Sequence, residues 1–99
     1  MSNVIFTVTV IDDSDEDTPP YQRVIGVFAS VTSATLAVKA NQSNISESGN
    51  NGYAVIEKTY QNCVLPQPEY KLWFEWFDGE YVATDTPEKF SRVQSFGLN

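Results

Sequence analysis

The chain has 99 residues, six basic and 13 acidic side chains, and a formal charge of −7. It contains no histidine and one cysteine, which excludes histidine-dependent catalysis, histidine metal ligation and an internal disulfide. The negative balance argues against direct binding to nucleic acid or an anionic membrane, and favours basic partners or simply solubility.

Hydrophobic residues make up 41% of the sequence, enough for one core. Area scaling gives a domain of this size about 65% of its unfolded surface hidden on folding. The expectation is one domain over residues 1–99, without repeats. The lone Cys63 fits a reducing compartment, and no lysine or arginine lies beside it to lower its pKa. Met1-Ser2-Asn3 shows no basic region, so no signal peptide is expected. No stretch approaches the roughly 20 apolar residues of a membrane span. No cofactor is expected, and no motif names a reaction, so the expectation is that the chain is not an enzyme.

Val4 to Ile11 (VIFTVTVI) predicts a strand. Val4, Phe6, Val8 and Val10 share one face, the core candidate; Ile5, Thr7, Thr9 and Ile11 share the other. Asp12, Asp13, Asp15, Glu16 and Asp17 follow as an acidic run, and Thr18-Pro19-Pro20 keeps the chain extended. Tyr21 to Ala29 predicts the second strand. Ser30 or Thr32 then caps a helix reaching about Asn41, with Val31, Ala34, Leu36, Val38 and Ala40 as residues to face the sheet. Residues 41–52 read as a polar loop closed by an Asn51-Gly52 turn signal. Its two Asn-X-Ser sequences, at Asn41 and Asn44, are what chance produces in such a loop.

Tyr53 to Tyr60 predicts the third strand and Glu69 to Phe77 the fourth. Asp78-Gly79 matches a two-residue type I′ turn, in which both central residues take positive φ. Glu80 to Thr84 returns as the fifth strand. Thr86 and Pro87 predict a short C-terminal helix, with Thr86 as cap and Pro87 at its first position. Phe90 and Val93 would share one of its faces, and Gly97 would stop it. The expected fold is α+β: a twisted, mainly antiparallel sheet of about five strands, one helix on a face and a short C-terminal helix.

The hairpin is the most informative segment. The turn sets Phe77 opposite Glu80, Trp76 opposite Tyr81, and Phe74 opposite Ala83. Tyr70, Leu72, Phe74, Trp76, Tyr81 and Ala83 then form an apolar face that should meet the core. The Trp76–Tyr81 pair adds about 0.5–1 kcal/mol beyond burial. The opposite face mixes Lys71, Glu75, Glu80, Val82 and Thr84 with Trp73 and Phe77. Two readings stand: the C-terminal segment with Phe90, Val93 and Phe96 covers these aromatics, or they form an exposed contact patch. Base stacking would need basic neighbours, and here they are Glu75, Glu80 and Asp85.

The acidic run reads first as a solvated loop that also discourages edge-to-edge aggregation. An EF-hand loop beginning at Asp13 fails, because Thr18 stands where glycine is needed and Val24 where glutamate is needed, which leaves a cation site of another kind as the second reading. The third reading is contact with a basic surface. Duplex DNA carries one charge per roughly 1.7 Å of axis, a density that a small acidic protein can imitate.

The segment Val24-Ile25-Gly26-Val27-Phe28-Ala29-Ser30, followed by an alanine-bearing helix, resembles a pattern in small acidic phage-encoded accessory domains of unknown function. The resemblance spans residues 4–60 and carries over no functional residues. It implies a protein made during infection, in the host cytoplasm, that binds a host or defence protein. The expectation is therefore a small protein-binding module, in concrete form a stoichiometric inhibitor of a nucleic-acid-handling defence complex. Asp12, Asp13, Asp15, Glu16 and Asp17 would steer it; Trp73 and Phe77, with Glu75 and Glu80, would make contact. The alternative is an assembly module that forms homo-oligomers through the hairpin face.

Overall fold

The structure, a computed structural model, describes residues 4–12, 21–40, 52–60 and 70–92. Its strands are β1 (Val4–Asp12), β2 (Tyr21–Phe28), β3 (Tyr53–Tyr60), β4 (Tyr70–Phe77) and β5 (Glu80–Thr84). One α-helix, α1 (Val31–Lys39), follows β2, and a 3₁₀ turn spans Glu88–Phe90. The strands form one antiparallel sheet in the order β2-β1-β3-β4-β5, an α+β arrangement.

Both β2 and β3 run antiparallel to β1, one on each side. They therefore run parallel to each other, and the chain must cross β1 to join them. A crossover of this kind is usually built with a helix, and α1 lies within it. Ser30 caps α1: the Ser33 N–H donates to Ser30 Oγ at 3.1 Å. Ala34 and Val38 enter one buried cluster with Phe6, Val8, Val10, Ala54, Ile56, Phe74 and Tyr81. Lys39 ends the helix by donating to the Tyr81 carbonyl on β5 at 2.9 Å.

Leu36 departs from expectation, being 64% exposed. At about 100° per residue it lies nearly opposite both Ala34 and Val38 on the helix. Ala40 is exposed as well and sits at the C-cap, beyond the last turn.

The expectation of one core face on β1 also needs correction. Thr7, Thr9 and Ile11 are buried on the second face as completely as Val8 and Val10 are on the first. Both β1 and β3 have a strand on either side and cover on both faces. A strand in that position reads as a near-continuous β-branched run, and VIFTVTVI is one. The burial is costly at Thr7, Thr9 and Thr59, whose hydroxyls have no hydrogen-bond partner among the described residues. Beside them lies Glu57, opposite Thr7 on one side and Lys71 on the other.

Within β2 the register slips between Val8 and Thr9, leaving Ile25 as a bulge residue between Val24 and Gly26. Gly26 makes room there: a Cβ would come within 2.8 Å of the Phe28 ring.

Thr9→Val is expected to raise stability by about 1 kcal/mol, because it removes a fully buried hydroxyl and keeps the side-chain shape. The check is the urea midpoint at unchanged slope. A lower midpoint would mean that the hydroxyl is satisfied in solution.

Candidate functional site

The hairpin turn forms as its sequence requires. Asp78 and Gly79 have φ of 51° and 86°, and glycine suits the second position because it has no Cβ. The predicted pairs Phe77–Glu80, Trp76–Tyr81 and Phe74–Ala83 are all present. Trp76 and Tyr81 meet edge to face at 5.1 Å. On that face Phe74 and Tyr81 are buried and Trp76 packs partly against the core. Tyr70, Leu72 and Ala83 are exposed, contrary to expectation. The two buried residues are those that join Ala34 and Val38 in the cluster, and a nine-residue helix reaches no further.

The second face separates the two aromatics that the sequence groups together. Trp73 is 3% exposed, so it is a core residue and not an exposed anchor. Phe90 from the 3₁₀ turn stacks on it at 5.4 Å, with the rings 2° from parallel. Tyr53, on the neighbouring strand, stands edge-on to Trp73 (84°) and to Phe90 (83°). The C-terminal segment thus covers Trp73 through Phe90; Val93, Phe96 and Gly97 lie outside the described residues. The expected helix is a three-residue 3₁₀ turn in which Pro87 is the N-cap, with no side-chain cap. Phe77 is 67% exposed beside Val82, also exposed. The 3₁₀ turn reaches Trp73, while Phe77 sits four residues further along β4, at the hairpin tip.

Register brings acidic groups to that same end of the sheet. Ile11 pairs with Tyr53, Tyr53 with Glu75, and Glu75 with Val82. Asp12 at the end of β1, Glu75 on β4, Asp78 in the turn and Glu80 on β5 therefore share one end. Glu75, Asp78 and Glu80 are exposed. Asp13, Asp15, Glu16 and Asp17 lie outside the described residues, as do Cys63, Asn41 and Asn44.

Sequence reasoning missed Tyr53 and the stretch from Asp85 to Lys89 as parts of this region. They line an open groove of about 740 Å³ with Glu75 and Thr84. The Lys89 ammonium sits 4.9 Å from the Tyr53 ring centre and 5.6 Å from that of Phe90. The charged run from Asp85 to Lys89 was the available signal, but only the folding of that run back over the sheet, with Lys89 against Tyr53, brings the two together. Among the described residues, no three Asp, Glu or Cys side chains group as metal ligands. No helix among them is long and apolar enough to cross a membrane.

Trp73→Ala should cost about 3–5 kcal/mol of stability, as for other buried tryptophans. Phe77→Ala should change stability by less than about 0.5 kcal/mol, as exposed positions do. Parallel urea titrations check the contrast, and equal losses would contradict the division between core and surface aromatics.

Compared with known proteins, the chain matches no family model, no curated protein and no solved structure.

Proposed function

We propose that this protein is an acidic protein-binding module that acts by stoichiometric contact with a basic surface on its partner. The observation that carries the reading is Phe77, 67% exposed at the hairpin tip among Glu75, Asp78 and Glu80. Large exposed aromatics are common anchors of protein interfaces. The surrounding carboxylates steer a positively charged partner and disfavour an anionic one. Asp12 lies at the same end of the sheet, so the acidic run begins where the anchor is. Trp73 is not an anchor in this reading; it supports the face from beneath.

The concrete form is a phage-encoded inhibitor that occupies the nucleic-acid-binding surface of a host defence complex. It draws on the −7 charge and on the resemblance carried by residues 24–30. Homo-oligomerisation through the hairpin is the weaker reading, because a symmetric contact there brings Glu75, Asp78 and Glu80 of two copies together.

The test is capture of a partner from a bacterial lysate on immobilised wild-type protein and on Phe77→Ala. The variant should retain at least about tenfold less partner, the loss expected for an interface anchor. Washing at high salt should weaken what remains through screening of the carboxylates. Equal capture by both proteins would remove Phe77 from the interface. Mass that rises with concentration in the isolated protein would favour the assembly reading.

A further inference from the structure

We propose that the groove beside Tyr53 is a subsite for a cationic side chain, arginine above lysine, presented by a segment of the partner protein, and that Lys89 occupies it in the free protein. The inference rests on the reading of a basic partner and specifies where one of its charges lodges.

The groove has a floor and walls of matching chemistry. Tyr53 supplies an aromatic face held edge-on to the Trp73–Phe90 stack, so its orientation is set by the core. Among the described residues, Glu75, Asp85 and Glu88 line the groove with Lys89 as its one basic residue, three carboxylates against one ammonium. A cation over a tyrosine ring is attracted by the ring quadrupole, and nearby carboxylates add to that attraction. Lys89 already makes this contact at 4.9 Å. The protein's own side chain therefore displays the chemistry that the groove accepts.

Lys89 also lies at the surface. It is exposed, on a three-residue turn whose backbone is held by the Phe90 N–H to the Pro87 carbonyl and the Ser91 N–H to the Glu88 carbonyl. Neither of these backbone hydrogen bonds involves the Lys89 side chain. Arginine is the better occupant because its planar guanidinium stacks on an aromatic face while bonding a carboxylate through two N–H groups. Bound there, it would lie beside Glu75, two residues before Phe77 on β4 and on the same face of the sheet as the anchor.

The test titrates the full chain with a blocked five-residue peptide of alternating glycine and arginine at low salt, followed by NMR. Shifts should concentrate on the Tyr53 ring and the Lys89 side chain. Lys89→Met should tighten binding by about two- to fivefold, the gain from removing an exposed cation–π competitor. Lys58→Met is the control: it removes the same charge from a cation that lies over Tyr70 instead. Equal tightening by the two variants would reduce the effect to net charge and overturn the subsite. So would shifts confined to other acidic residues, or no binding of the peptide. If those failures occur while Phe77-dependent capture of a partner persists, the groove assignment falls and the protein-binding reading stands.

Discussion

The fold depends on the burial of β1 and β3 on both faces. A sheet covered on one side needs only a helix, and α1 supplies that through Ala34 and Val38. Here Thr7, Thr9, Ile11, Val55, Glu57 and Thr59 lie buried on the other side as well. Among the described residues, Phe90 is what the chain lays over that side, stacked on Trp73 beside Ile11, Val55 and Tyr53. The same stack orients the Tyr53 ring. Core packing thus positions a surface groove, and the two cannot be altered independently.

The sheet's two edges are both blunted. On β2 the bulge at Ile25 interrupts a regular ladder, a common protection against pairing with another chain. On β5 Lys39 takes the Tyr81 carbonyl that an added strand would use. With both edges blunted, the hairpin tip and the neighbouring groove present side chains and not backbone groups, which is where the proposed contact lies. Recognition of that kind depends on charge and shape, which suits a surface holding Phe77 among carboxylates.

Local chemistry was legible in the sequence wherever it is decided by neighbours in the chain. Asp78-Gly79 requires positive φ, and from that turn the cross-strand pairs of the hairpin follow by counting. Ser30 before Val31 announces the helix start in the same way. The region around Phe77 was partly legible: its aromatics and acids were visible, but their exposure was not. Trp73 and Phe77 share one face of one strand and have the same chemistry. They differ because Phe90, 17 positions after Trp73, folds onto one and not the other.

The strands, the cap, the turn and the acidic balance were readable from the residues alone, because each follows from backbone preference or composition. Strand order, the double burial of β1, and the meeting of Tyr53 with Glu75 and Lys89 arise in the folded chain alone. The physical reason is distance along the chain. Tyr53 and Glu75 pair across two strands, and no short-range preference records which strands become neighbours.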